Sequence, residues 1–359
     1  MANNKIMILA VLTVLVVGLS ACDGGQRTTG KVFSGGTNGL LFSLERDAPP
    51  DLIYDNGQTP FGIIVRAKND GEFDTEGITF TVSGINRLDF PGLVTPVVDN
   101  NLIIGRTTLE NQVIDGDEAY ITLANDVRYQ RRLAGGGELD FAVVVDACYP
   151  YATLATSKVC LQEDYLDGNN DICDPRTSSE ISVSGAPIQI TSFQQQPVGT
   201  DRLRVQYEFT LRNNVEIWAP LSGGTSGGQD CRPSDRSERV AQQNWIYVEV
   251  DPNLPGANVE CVNLVRDRPS NFDGRFIKNI RQAYIGGPTA GSIIINSMDP
   301  DGNNGDSGWL RLGTGDKVTL TCTMDVPEVG NSFGTVDVLA TYYVKDRVSR
   351  TLTVTHSNT

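Results

Sequence analysis

One histidine, His356, stands near the C-terminal end of the 359-residue chain. Any hydrolytic couple of the Ser-His-Asp or Cys-His kind has to use it, and the end of a last strand holds a general base poorly. Without a second histidine or a Cys-x-x-Cys pair, the common zinc sites lack a ligand set. No Gly-x-x-x-x-Gly-Lys-Ser/Thr loop and no strand–Gly-x-Gly-x-x-Gly–helix unit occurs, so nucleotide binding has no support. Gly135-Gly136-Gly137 reads as a turn. With 44 Asp and Glu, paired carboxylates of the glycosidase type are available in number, but the sequence sets no separation between any two. No enzymatic activity is expected.

The sharper chemical signal is oxygen-rich. Asp167-Gly168-Asn169-Asn170-Asp171 and Asp299-Pro300-Asp301-Gly302-Asn303-Asn304-Gly305-Asp306 cluster carboxylate and amide oxygens around glycine. Hard cations take several such oxygens from flexible loops. The candidate Ca2+ ligands are therefore Asp167, Asn169 and Asp171 in the first loop, and Asp299, Asp301, Asn303 and Asp306 in the second. The competing reading is turn chemistry, which favours the same residue types. Asp167 to Asp174 resembles the end of a thrombospondin type 3 calcium repeat, although that family carries its repeats in tandem. The second loop departs from the EF-hand pattern, with Asn304 at the sixth position and no closing Glu.

Two further groups could hold a glycan or a protein. Arg128, Arg131 and Arg132 form a dense basic cluster suited to a sugar acid or a partner's carboxylates. Trp218, Trp245, Trp309, Tyr342 and Tyr343 could form an aromatic platform, with Trp309 expected at the surface and Trp245 in the core. The net charge of −15 argues against nucleic acid and against direct adhesion to anionic lipid.

Strands must position these groups. Phe61, Ile63, Val65 and Ala67 alternate with Gly62, Ile64, Arg66 and Lys68. Ile78, Phe80 and Val82 alternate with threonines. Arg204 to Arg212 places an apolar residue at every second position. Val318 to Met324 and Val336 to Val344 do the same. Such alternation means half-buried antiparallel strands, and turn clusters such as Lys68-Asn69-Asp70-Gly71-Glu72 separate them. The expected class is all-β: two β-sandwich domains, residues 39–162 and 186–359, joined by a linker at 163–185. An insertion loop is expected at 222–239.

The N-terminus sets the compartment. Met1 to Lys5 gives a positive start, Ile6 to Val17 an apolar run, and Gly18 to Cys22 a small-residue end, as in a signal peptide. The run is shorter than the ~18 residues that a spanning helix needs. Leu19-Ser20-Ala21-Cys22 resembles the lipobox of prokaryotic lipoproteins. That resemblance implies cleavage before Cys22, a diacylglycerol on its thiol, and a membrane contact made through the lipid. Residues 1–21 are then a signal peptide and 22–38 a flexible tether.

Val65-Arg66-Ala67-Lys68-Asn69-Asp70-Gly71-Glu72, with Ile78 to Gly84 and Gly116 to Ile121, resembles the immunoglobulin-like modules of archaeal and bacterial surface proteins. Cys148-Tyr149-Pro150-Tyr151-Ala152-Thr153, with Val159-Cys160, is similar to a motif of uncharacterised cell-surface proteins. The resemblance implies immunoglobulin-like sandwiches and a surface location, and carries no catalytic residue. With Cys22 set aside, six cysteines remain, an even number suited to disulfides in an exported chain. Strand phase favours Cys148 with Cys160 across a hairpin turning near Leu154, and Cys261 with Cys322 between inward positions. Cys173 and Cys231 are left to tie the linker to the insertion loop, and other connectivities stay open. The expected function is a lipid-anchored cell-surface binding or assembly module that meets a protein or glycan partner. The alternatives are a carbohydrate-active enzyme or glycan-binding protein, and a self-assembling filament or virion subunit.

Overall fold

The structure, a computed structural model, describes residues 33–109, 112–165, 172–176, 180–219, 231, 243–254, 256–266, 305–326 and 330–357. The described secondary structure is strand apart from one 3-10 turn at Ala134–Gly136. No helix among the described residues is long and apolar enough to cross a membrane.

Two strands of unusual length, β9 (Glu138–Leu161) and β18 (Ser332–Thr355), pair antiparallel along all 24 residues of each. They form the middle of a nine-stranded sheet. On the β9 side it adds β4 (Ile78–Ser83), β5 (Val97–Asp99) and β10 (Ile181–Val183). On the β18 side it adds β2 (Leu52–Tyr54), β13 (Glu216–Trp218), β14 (Trp245–Asp251) and, beyond β14, β16 (Asp306–Arg311). A three-stranded sheet runs β1 (Leu40–Leu44), β3 (Phe61–Asn69), β8 (Glu118–Val127). A four-stranded sheet runs β11 (Ile188–Pro197), β12 (Arg202–Leu211), β17 (Lys317–Asp325), β15 (Asn258–Cys261). β6 (Thr107–Leu109) and β7 (Gln112–Ile114) pair by themselves.

The two smaller sheets lie against different lengths of the β9–β18 ribbon. Phe42 of β1 meets the rings of Phe80 on β4 and Tyr149 on β9, with centroids 5.8 and 5.5 Å away. Further along, Tyr207 on β12 hydrogen-bonds Ser157 on β9 at 2.8 Å. Thr153 donates to the Ile188 carbonyl at 2.7 Å, and the Ile188 amide donates to the Tyr342 hydroxyl at 3.3 Å. Burial pushes the phenols of Tyr149, Tyr151, Tyr207 and Tyr342 up, so each stays protonated and available as a donor.

The alternating segments form strands as expected. Phe61, Ile63, Val65 and Ala67 are buried, as are Leu203, Val205, Tyr207 and Phe209. The expected division of the chain does not match the sheets. β9 belongs to the first sequence group and β18 to the second, yet their full-length pairing places strands of both groups in one sheet, and residues 33–359 form one compact unit. The hairpin near Leu154 is also absent, because β9 runs straight through that residue. Tyr151 to Ser157 contains none of the Gly, Asn or Asp residues that close a tight turn.

That continuity overturns one disulfide. Cys148 and Cys160 sit twelve positions apart on one strand, a separation of ~40 Å at strand rise. Cys148 instead bonds Cys231, and Cys160 bonds Cys173. Cys261 bonds Cys322, directly opposite on the neighbouring strand, as phase suggested.

The expected tether of 22–38 is shorter than its composition indicates. Glu72 accepts hydrogen bonds from the amides of Ser34, Gly35 and Gly185 at 2.8, 3.0 and 2.7 Å. Asn213 donates to the Thr37 carbonyl and the Asn38 side-chain oxygen at 2.6 and 2.7 Å. Residues 34–38 thus belong to the folded body. Glu72→Ala removes a charged acceptor from three amides and is expected to cost about 2 kcal/mol. Hydrogen exchange should accelerate at Ser34, Gly35 and Gly185 and not at β12. Unchanged protection at those amides would refute the clamp.

Candidate functional site

A concavity lies along the β11–β12 hairpin, with a volume of about 470 Å3. Its lining includes Gln194, Gln195 and Gln196 on β11 and Arg204 and Gln206 on β12. Register explains the row, because Gln194 pairs with Gln206 and Gln196 with Arg204 on the outward phase. The opposite phase carries Leu203, Val205 and Tyr207 into the core. Gln195 is buried, and its side-chain oxygen accepts the Cys160 amide at 3.0 Å.

A second wall comes from the segment expected to be a linker. The Cys160–Cys173 disulfide draws it against β9, and Gln162 donates to the Cys173 carbonyl at 3.0 Å. Tyr165 donates its hydroxyl to the Cys160 carbonyl at 3.2 Å and its amide to the Thr200 carbonyl at 3.2 Å. Burial raises the Tyr165 phenol to about 12, so it stays neutral at physiological pH. Arg176 follows the disulfide by three residues and lines the same cleft. Strand phase, disulfide and phenol thus gather amides, a phenol and two guanidinium groups into one cleft. Groups of these types can hold a ligand by directional hydrogen bonds. No carboxylate is among the described lining residues.

Nothing in the sequence alone marks this site. Its local signal was the run Gln194-Gln195-Gln196, which reads as a polar strand end. The cross-strand neighbours and the disulfide partner of Cys160 are what turn that run into a wall.

The expected site residues fare differently. Cys22, Asp167, Asn169, Asp171, Asp299, Asp301 and Asn303 lie outside the described residues. Asp306 is described, and its carboxylate is engaged within the fold. It accepts the Cys261 amide at 2.6 Å, the Arg266 guanidinium at 3.1 Å and the Ser307 amide at 2.8 Å. Among the described residues, no group of three or more His, Cys, Asp or Glu is arranged to hold a metal. Arg128 pairs with Asp126, and Arg131 with Asp89, so most of the basic cluster is neutralised. The tryptophan expectation reverses: Trp309 is buried against Tyr247, whereas Trp245 is partly exposed with Arg311 over its ring. Trp218, Tyr342 and Tyr343 are also buried. Asp251 and Asp337 face each other across β14 and β18, but Asp337 takes bonds from Thr156 and Asn253 at 2.6 and 2.7 Å.

His356 is not frayed. Its Nδ1 lies 2.8 Å from Asp55, whose carboxylate also accepts the amides of Leu133 and Ser357 at 2.7 and 3.2 Å. The His356 hydrogen bond, aided by the Leu133 amide, lowers the Asp55 carboxyl from 3.8 to about 2. A depressed acid stabilises the fold above its unfolded value and loses that contribution as pH falls through the folded one. Stability from this clamp is therefore present above about pH 4 and lost towards pH 2. Asp55→Asn should flatten that part of the acid-unfolding curve, followed by circular dichroism. An unchanged slope between pH 4 and 2 would count against the clamp.

No protein-family model matches the chain, and no curated protein matches it. Among solved structures, it is similar to the secreted serine protease VesC from Vibrio cholerae at 8% identity and a TM-score of 0.17, over 85% of this chain. The chain spans 50% of that protease's length. It is also similar to the serine-rich repeat adhesion glycoprotein Srr1 from Streptococcus agalactiae at 10% identity and a TM-score of 0.16, covering 92% of this chain and 99% of that one. Similarity at this level assigns neither fold nor activity.

Proposed function

We propose that this chain is an exported, lipid-anchored surface protein that acts by binding rather than by catalysis, on two immunoglobulin-like sandwich halves sharing the β9–β18 ribbon. The observation that carries the reading is the disulfide-backed cleft of amides and guanidinium groups, which offers contacts that hold a ligand. The three disulfides suit an extracellular setting. The lipobox-like Cys22 supplies the membrane contact. Residues 34–38 are bonded to the body, so a tether attached at Cys22 would be about a dozen residues, or at most ~40 Å extended.

Intact-mass analysis and membrane flotation test the anchoring. The mature protein should begin at Cys22, carry added diacylglycerol mass and float with membranes, while Cys22→Ala stays soluble. An intact Met1 or an unmodified Cys22 thiol would overturn the anchor.

Self-assembly is a second reading, favoured by the paired strands β6 and β7. Their Leu109 and Ile114 share one face of the pair and are each about half exposed, apolar surface that a second copy could cover. Sedimentation should then show concentration-dependent association that Ile114→Asp abolishes. A monomer at all concentrations would exclude it.

A further inference from the structure

We infer that the β11–β12 cleft binds an acidic saccharide, with Arg204 and Arg176 taking the carboxylate and the glutamines taking the hydroxyls. This inference rests on the reading of the cleft as a binding site. It is carried by the pattern of charge along the outward face of β12. At one end Arg202 pairs with Asp325 at 2.9 Å. At the other Glu208 pairs with Lys317 at 3.2 Å. Between them stand Arg204 and Gln206. Arg204's cross-strand neighbours are the neutral residues Gln196 and Thr323. No carboxylate among the described residues pairs with Arg204 or Arg176, although both line the cleft. In a chain of net charge −15, two cations in one cleft with no paired carboxylate among the described residues give that cleft a local positive character that draws an anion.

The rest of the lining selects the anion's class. A guanidinium fork matches a carboxylate with two parallel hydrogen bonds. Gln194, Gln196 and Gln206 each add a carbonyl acceptor and an NH2 donor, the combination that a ring of hydroxyls can satisfy. Gln206 is already oriented by its bond to Thr321 at 3.2 Å. Pro197 is the one aliphatic side chain among the described lining residues. Its volume of about 470 Å3 falls in the range of small-ligand clefts, roughly 300–1,000 Å3. The Cys160–Cys173 bond holds the segment that carries Arg176.

Isothermal titration of the full-length mature protein tests this. The probes are trisaccharides of galacturonate and glucuronate, the matching neutral galactose and glucose trisaccharides, triglutamate, and acetate. An acidic trisaccharide should bind at least ~10-fold more tightly than its neutral counterpart, and more tightly than triglutamate or acetate. Binding should weaken with added salt. Arg204→Gln and Arg176→Gln should each lose ~10- to 100-fold, the value of a charge-assisted contact, while Arg46→Gln, outside the cleft, should change nothing. Circular dichroism of each variant guards against misfolding. Equal affinity for neutral and acidic trisaccharides would overturn the acid assignment and leave the cleft a binding site. Preference for triglutamate would assign it to a peptide instead. Heat from none of the probes at millimolar concentration would sink both the inference and the binding role of the cleft.

Discussion

Asn69→Ala is expected to lower the unfolding free energy by about 3–5 kcal/mol. Asn69 ends β3 and is fully buried. Its NH2 donates to the Phe73 and Ile103 carbonyls at 2.7 and 3.1 Å. Its oxygen accepts the Gly71 amide at 3.2 Å and the Tyr151 hydroxyl at 3.0 Å. Tyr151 is itself buried and packs edge-on against Phe73, with centroids 5.3 Å apart. Alanine removes the acceptor of the Gly71 amide and of the Tyr151 hydroxyl, each costing roughly 1–3 kcal/mol before relaxation, and one donor from each of the two carbonyls, of which Ile103 keeps the Thr75 amide at 3.1 Å. Gly71 leaves no room for repair, since a Cβ there would collide with the Tyr151 hydroxyl and the carbonyls of Asn38 and Gly185. Urea unfolding should show a lower midpoint at constant m-value. Tyr151→Phe, which removes one partner, should cost only about 1 kcal/mol. A double-mutant cycle should return a coupling of ~0.5 kcal/mol or more. A shift below 1 kcal/mol for Asn69→Ala would show that water replaces these bonds.

The Lys68-Asn69-Asp70-Gly71-Glu72 cluster shows how far the sequence could be read. Its residue types announce a turn, and a turn ends β3 there. That Asn69 faces the core and Glu72 grips Ser34, Gly35 and Gly185 depends on partners 34 to 113 positions away, which local spacing does not encode. The same limit explains the strands. β3 and β12 bury one face, so period-2 alternation exposes them. The middle of β9 is buried on both faces from Ala147 to Ala155, apart from Pro150. Where both faces are apolar the alternation vanishes, and Tyr149 to Leu161 loses the mark that would have joined it to Leu139–Val145. A break there implies a hairpin and with it the Cys148–Cys160 pairing, neither of which forms. The cleft was illegible for a related reason. Gln196 and Arg204 are neighbours only through register, and Arg176 joins them only through Cys160–Cys173.

The other large effect belongs to the bond that the hairpin reading displaced. Cys148 and Cys231 are both buried and 83 positions apart. A cross-link over that span removes about 4–5 kcal/mol of unfolded-state entropy in the chain-entropy picture, against about 3 kcal/mol for the 13-position span of Cys160–Cys173. The shorter loop is nested inside the longer, so it already restricts the same unfolded chain and trims the difference. A further term restores it. Cys148 sits in the middle of the long sheet, between Thr79 and Lys345, so replacing a buried bridge with two alanines leaves a cavity as well as a freed loop. The paired variant Cys148→Ala/Cys231→Ala should therefore lose ~4 kcal/mol, and Cys160→Ala/Cys173→Ala ~3 kcal/mol, in urea unfolding under non-reducing conditions. Non-reducing peptide maps give the independent check, because Cys148 should appear cross-linked to the Cys231 peptide. Linkage of Cys148 to Cys160 would mean that β9 is not one continuous strand, and the ribbon that joins the two smaller sheets would fall with it.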